Sequence, residues 1–314
     1  MRPKLELLDK PLIEHILDEA FQLIEDPGVR VAPYVEELLR AAGSTVKEGV
    51  AHIPEVLARR LVDLVPRGFC PYGRLGKPAV HYTGDTVHFD PGSSCLNILD
   101  PETQQPRPAM SADLVRLVPV AEMLPQFAAQ STAMVCNDIP PEIGDWYRLL
   151  LVLWHSEKPV VTGAFSASSL HTLIDLLAIE SGGRETLRRN PRAIFDVCPS
   201  PPLNWSEFAS QNLVDLARAG VPAEIVSMPL AGATAPVTLV GSVVQHAAEC
   251  ISGITIHQLA QPGSPIVWGG APAIFDMRSG KTPMGAIETA MLDVALFASW
   301  KVSPPSDARL SGRR

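Results

Sequence analysis

The chain has 314 residues, 46% hydrophobic and 19% charged, a balance that suits a packed enzyme-sized domain and excludes disorder. A formal net charge of −8 argues against a nucleic-acid partner, because phosphate binding needs a concentrated basic surface. Arg188, Arg189 and Arg192, and Arg309, Arg313 and Arg314, are the basic clusters, and both read as solvated segments.

The first residues, MRPKLELLDK, carry charge where a secretory signal needs an apolar core, and no stretch reads as long and apolar enough to cross a bilayer. Cys70, Cys95, Cys136, Cys198 and Cys250 stand singly, without a CxxC pair, as reduced thiols do. Together these features predict a cytoplasmic protein with no membrane partner.

Residues 1–110 read as an α+β extension. Ile13, Ile16, Leu17, Ala20, Leu23 and Ile24 recur at helical spacing and stop at Pro27-Gly28. A second helix covers 34–42 and a third starts at Pro54, a favoured first-turn residue. Val80–Thr83 and Thr86–Phe89 flank Gly84-Asp85 and predict a hairpin, and Cys95–Leu99 predicts another strand. From Ser111 the rhythm becomes helix, strand, helix. Ser111 can cap a helix with Leu114, Leu117, Val118, Ala121 and Leu124 on one face. Strands are predicted at 129–135, 159–165, 193–198, 224–228 and 265–268, with helices at 144–156, 168–180, 206–219, 238–260 and 285–300. Short apolar strands alternating with amphipathic helices imply parallel βαβ units over 111–302, followed by a tail, 303–314. Loops leaving the strands are longer than most of those entering them, as in barrel enzymes and also in open doubly wound sheets.

No GxGxxG, GxxxxGK[ST] or GxSxG run is present, so nucleotide-dependent and serine-hydrolase readings lack local support. His246 and Cys250, with Glu249 beside them, have a spacing that can bind zinc. The stripe they share with Val243, Ala247 and Ile254 equally describes the packed face of a helix, so no metal is assigned. The loop Pro229–Pro236 (PLAGATAP) combines a permissive Gly232, two small neighbours and the Thr234 hydroxyl. It either offers backbone amides to an oxygen ligand at the start of helix 238–260 or is a tight turn chosen for packing.

The run Gly232–Gly241 (GATAPVTLVG) resembles a signature of the trimethylamine–corrinoid methyltransferase family. Further similar positions keep family order: Tyr72-Gly73-Arg74, Pro201-Pro202-Leu203, Ala248-Glu249, Gln258-Leu259, Pro262–Pro265 and Asp276–Gly280. The resemblance implies an α/β fold with a TIM (β/α)8-type barrel. It further implies an enzyme that moves a methyl group from a methylated amine to the Co(I) of a separate corrinoid protein. The amine is trimethylamine or, since no pyrrolysine is written here, a quaternary amine such as glycine betaine. The corrinoid (cobalamin) belongs to the partner protein, and no tightly bound cofactor is expected.

Five parallel strands fall short of eight, so the barrel is expected to be incomplete at the C terminus, with completion in a homo-oligomer as one possibility. The alternative function is an inactive truncated member, or a protein that binds the amine or corrinoid protein without transfer; an unrelated barrel lyase or hydrolase ranks behind both. Under the methyltransferase reading, Gly232, Ala233 and Thr234 line the substrate or corrinoid rim. Phe165 and Trp268, with Trp205 and Phe275 as further candidates, offer π-faces to an ammonium ion. Arg278 holds a carboxylate or phosphate, or orders its loop with Asp276. Asp138 faces the cation or caps a turn. Asp196, mid-strand, is expected to have a partner, and Glu224 to lie on the stability face. No nucleophilic side chain is required, and no catalytic residue is assigned.

Overall fold

The computed structural model describes residues 5–302 except Asp85, so the tail at 303–314 lies outside the described residues. Contacts group the chain into two compact units. One draws on the residues up to Val65, on Val197–Ala217 and on those from Glu224 onward; the other comprises Pro66–Asp196 and Arg218–Ala223.

The first unit begins with α1 (Lys10–Glu25), capped by Asp9, whose side chain accepts from Leu12 N at 2.9 Å. Its buried Ile13, Ile16, Leu17, Ala20, Phe21 and Ile24 follow the predicted stripe, with Phe21 added and Leu23 only half-buried. β1 (Val29–Val31), α2 (Pro33–Ala41), β2 (Thr45–Lys47), β3 (Val50–His52) and α3 (Glu55–Val62) follow. β3 pairs antiparallel with both β1 and β2. Strands of three residues give little periodicity, and the sequence reading omitted this small sheet.

In the second unit β4 (Gly68–Phe69) pairs antiparallel with β5 (Tyr82–Thr83), and β6 (Asn97–Leu99) with β7 (Pro106–Pro108). The hairpin predicted about Gly84-Asp85 is therefore corrected: Tyr82-Thr83 finds its ladder at Gly68-Phe69, and Asp85 lies outside the described residues. Thr86 instead folds back through its hydroxyl, which donates to His81 O at 2.7 Å and to Thr83 O at 2.8 Å.

Then come α4 (Ser111–Met123), β8 (Gln130–Ser131), α5 (Pro141–His155), β9 (Val160–Gly163), α6 (Ala167–Glu180), α7 (Arg184–Arg189) and β10 (Ala193–Val197). β9 pairs parallel with β8 and with β10, and Gly163 faces Asp196 in register. Arg192, assigned from sequence to a solvated cluster, is instead buried. Its guanidinium grips the Glu180 carboxylate at 2.9 and 3.0 Å and donates to Tyr72 O at 2.7 Å.

The chain returns to the first unit with β11 (Asn204–Trp205), which pairs parallel with β1. After α8 (Glu207–Ala219) come β12 (Ala223–Ser227), β13 (Leu230–Ala231), α9 (Leu239–Ala260), β14 (Ile266–Gly270), β15 (Ala273–Ile274) and α10 (Ile287–Val302). α9 packs against α1, α2, α3 and α10, and Ile16, Val243, Leu292 and Ala295 form one buried cluster. At 22 residues, α9 passes the length and composition test for a bilayer span, which corrects the sequence reading that no stretch does. Most of it is buried against the neighbouring helices, as a core helix is.

The α/β class with parallel strands is as expected. A closed barrel is not present among the described residues.

Candidate functional site

In the first unit, the turn between β12 and α9 is shaped by Gly232, whose φ of +86° lies where side chains are strained. Its amide donates to Ala235 O at 3.1 Å, while Ala233, Thr234 and Ala235 all donate their backbone N–H to Leu230 O at 2.9–3.0 Å. Thr234 Oγ1 turns inward and accepts from Leu230 N at 3.0 Å, so its hydroxyl serves the turn itself. Thr238 caps α9, and Pro236 lies just ahead of the cap.

Beneath the turn sits Glu249, fully buried. Its carboxylate accepts from Leu203 N at 3.0 Å, Ser227 Oγ at 2.5 Å and Gln245 Nε2 at 3.1 Å. Gln245 Nε2 also donates to Thr234 O at 2.9 Å. One carboxylate thus joins the end of β12, the loop before β11 and the Gly232 turn. Burial pushes its pKa up, against the three hydrogen bonds, which favour the ionised form. Sequence reading placed Ala248-Glu249 among the family-like positions without giving Glu249 a task. The signal that would have exposed it is that Glu249 is the one Asp, Glu, Lys or Arg in a 22-residue helix.

The same helix carries the His246–Cys250 pair. His246 Nε2 lies 2.9 Å from Gly269 O and 3.7 Å from Cys250 Sγ, and burial depresses the imidazole to about 4, so it is neutral. Cys250 Sγ shares the Gly269 carbonyl at 3.6 Å, and burial raises the thiol well above its ordinary range. Among the described residues no group of three His, Cys, Asp or Glu gathers around them. Trp268 packs edge-on to His246 and stacks on Trp300, with only 3% of its surface exposed. Trp205 is equally buried, with its indole N–H on Ser252 Oγ at 3.0 Å. Both tryptophans therefore sit in the core rather than at a ligand-facing surface.

Past β15, Asp276 accepts from Arg278 N at 3.0 Å and from Ser279 Oγ at 2.6 Å. Asp276 thus orders the loop through backbone and hydroxyl rather than through the guanidinium. Arg278 is exposed, and its guanidinium has no hydrogen bond among the described residues. Phe275 is half-buried, and its amide reaches Ala231 O at 3.1 Å, beside the signature turn.

In the second unit, the carboxyl ends of β8, β9 and β10 bring Thr132, Gly163 and Asp196 to one rim. Thr132 and Thr162 share a side-chain hydrogen bond at 2.9 Å. Under this rim lies Arg148 of α5, only 2% exposed. It donates to Ser94 Oγ at 3.0 Å and Gly163 O at 3.2 Å, and it pairs with the buried Asp145 at 3.4 Å. Asp145 in turn accepts from Phe165 N at 2.7 Å, and the Arg148 guanidinium lies 4.5 Å from the Phe165 ring centre. Phe165 itself is 61% exposed. Asp90 is anchored nearby by Gly92 N at 2.8 Å, with Gly92 O held by the Ser131 hydroxyl.

Asp196 accepts no hydrogen bond among the described residues. Burial, and then the Asp90 charge, raise its pKa to about 7, with Arg148 opposing. The expected partner is thus replaced by a raised pKa, which relieves the cost of a mid-strand charge by partial protonation. Asp145 and Arg148 went unnoticed in sequence. Their i, i+3 spacing on the face that holds Leu149 and Val152 is the available signal.

The trimethylamine methyltransferase family model matches residues 1–298. The chain belongs to this family. Its relatives include trimethylamine methyltransferases of Desulfitobacterium hafniense, 26% identical over 93% of this chain, and of Methanosarcina barkeri, 29% identical over 88%. A glycine betaine methyltransferase of Desulfitobacterium hafniense is 23% identical over 92% of this chain. The matches span 56%, 57% and 60% of those proteins, so the chain spans little more than half their length.

Within this family member, the predicted residues divide between the two units. Gly232, Ala233 and Thr234 form the turn over Glu249, and Asp276 and Arg278 belong to the loop past β15. Phe165 is at the rim with Asp196. Asp138 accepts from Ser111 N at 2.9 Å and Ser111 Oγ at 3.0 Å, which ties it to the start of α4 rather than to the turn that follows it.

Proposed function

We propose that this chain is a corrinoid-dependent methyltransferase that moves a methyl group from a methylated amine, trimethylamine or a quaternary amine such as glycine betaine, to the Co(I) of a partner corrinoid protein. The family match over residues 1–298 carries the reading. The relatives, trimethylamine and glycine betaine methyltransferases by name, support the substrate class. On this reading the strand–helix alternation belongs to a (β/α)8 barrel, and the chemistry lies at the carboxyl ends of its strands.

The transfer asks little covalent work of the protein. The carbon–nitrogen bond breaks as a carbon–cobalt bond forms, cobalt supplies the new bonding pair, and the old pair leaves with the amine. The protein's task is to hold the carbon in line and exclude water. Arg278 is available to hold an anionic group of either reactant, and Glu249, through Gln245, fixes the Gly232 turn.

The test mixes the chain with a reduced corrinoid protein and either trimethylamine or glycine betaine, and follows the Co(I) absorbance. Loss of Co(I) that requires chain and amine supports transfer. Amine binding without loss of Co(I) favours a binding protein without transfer activity.

A further inference from the structure

We propose that the outer faces of α4 and α5 form a contact surface for a second copy of this chain, the two copies pairing about a two-fold axis. The inference is independent of the methyl-transfer reading and holds equally for a chain without activity.

A helix at the surface of a folded unit turns an apolar face inward and a polar face to water. α5 departs from this. Its inward face holds Leu149, Val152 and Leu153, together with the buried pair Asp145 and Arg148. Its other face carries Tyr147, Leu150 and Leu151, all half-buried, and ends at Trp154, which is 74% exposed. Between Ile143 and Trp154 the charged side chains are that buried pair alone, so the outer face presents no charge to water.

α4 extends the patch. Val120 and Met123, 58% and 81% exposed, share one stripe of the helix. Glu122 between them turns its carboxylate to Ser156 Oγ and to Gln130 Nε2. Lys158 Nζ donates to Ala121 O at 2.8 Å and to Leu124 O at 2.9 Å, which fastens the segment after Trp154 to the end of α4 beside Met123.

Trp154, Met123 and Val120, with the half-buried residues beside them, expose roughly 500 Å² per copy, as large as the main apolar patch of an ordinary monomer. A two-fold pair would bury about 1,000 Å², the size at which a specific interface begins. Tryptophan and methionine are also among the residue types enriched at such contacts.

Charge at the two ends of the patch selects a second copy over an unrelated partner. Arg116, one turn before Val120 on the same stripe, is exposed and makes no hydrogen bond or salt bridge among the described residues. Glu157, three residues past Trp154, is exposed, and its carboxylate has none there either; its amide is held by Glu122 Oε1 at 3.4 Å. With a cation at one end and an anion at the other, the patch is its own complement. Under a two-fold axis each Arg116 meets the partner's Glu157, and the apolar centre of one copy covers that of the other.

Sedimentation velocity over roughly 1–100 μM chain should show a monomer–dimer equilibrium. Trp154→Ser should weaken it at least tenfold, with circular dichroism unchanged because the side chain is exposed. Arg116→Glu and Glu157→Lys each set like charges opposite one another, and each alone should weaken the dimer about tenfold. An equimolar mixture of those two variants should recover it, because unlike charges then meet between the chains. The charge variants, at exposed positions, carry the test should Trp154→Ser fold poorly. A wild type that stays monomeric over the whole range overturns the proposal. So does a dimer unaffected by Trp154→Ser in folded protein, or a mixture of the charge variants that associates no better than either alone.

Discussion

Asp196→Asn should stabilise the protein, and the gain should grow with pH. Asparagine keeps the shape, and the aspartate has no hydrogen bond among the described residues to lose. The carboxylate is raised from 3.8 to about 7 in the folded chain, so the native state binds this proton more tightly than the unfolded state does. Protonation therefore favours folding. That contribution is fully present below about pH 4 and is lost as pH rises through 7. A shift of about three units corresponds to a ceiling of roughly 4 kcal/mol at pH 8, at about 1.4 kcal/mol per unit. Solvent reaches part of the side chain, so a gain of roughly 1–3 kcal/mol is expected, with the midpoint rising by about 2–8 °C. Thermal and urea unfolding at pH 5, 6.5 and 8 would show the difference opening with pH. Lower stability of the asparagine variant at pH 8, or a difference independent of pH, would refute this reasoning and mark the carboxylate as a structural acceptor. Gains of this kind are typical where a strained group is kept for function.

Glu249→Ala should destabilise by roughly 3–5 kcal/mol, because it strands Leu203 N, Ser227 Oγ and part of Gln245 in a buried site, whereas Glu249→Gln should cost about 1 kcal/mol; urea unfolding separates the two. Arg148→Ala leaves the buried Asp145 without its ion pair and should cost roughly 3–5 kcal/mol, read from the shift in the urea midpoint. Gly253→Ala drives a Cβ into the Trp205 ring, 2.7 Å from Cη2, and should cost roughly 1–3 kcal/mol, with a change in tryptophan fluorescence. His246 and His257, depressed by burial to about 4 and about 3, contribute stability present above about pH 6.5 and lost as pH falls through those values. His257→Gln should accordingly flatten the acid limb of a stability profile between pH 6.5 and 4, while an unchanged slope would show that His257 plays no part in it.

The α1 stripe, the start of α4 at Ser111 and the five predicted strands lie close to where the sequence places them, because burial repeats at the period of each element. The hairpin was misread because two short runs beside Gly84 carry no record of which strand they join, and Tyr82-Thr83 pairs with Gly68-Phe69, distant in sequence. Arg192 looked solvated in a run of arginines, yet its partner Glu180 lies twelve positions back, beyond the reach of local patterning. Trp268 read as a π-face because it ends a strand; only packing shows that Trp300 covers it. The GATAPVTLVG run and the positive φ it needs at Gly232 were visible in sequence. The carboxylate beneath it was not, because the three donors to Glu249 come from separate parts of the chain.

The most direct measurement is the fate of a labelled methyl group. With [13C-methyl]trimethylamine, a reduced corrinoid protein and this chain, the carbon resonance should move to a cobalt-bound methyl, with one equivalent of dimethylamine formed. A label that stays on nitrogen with the corrinoid fully reduced, while the amine is shown to bind, would contradict the methyltransferase account.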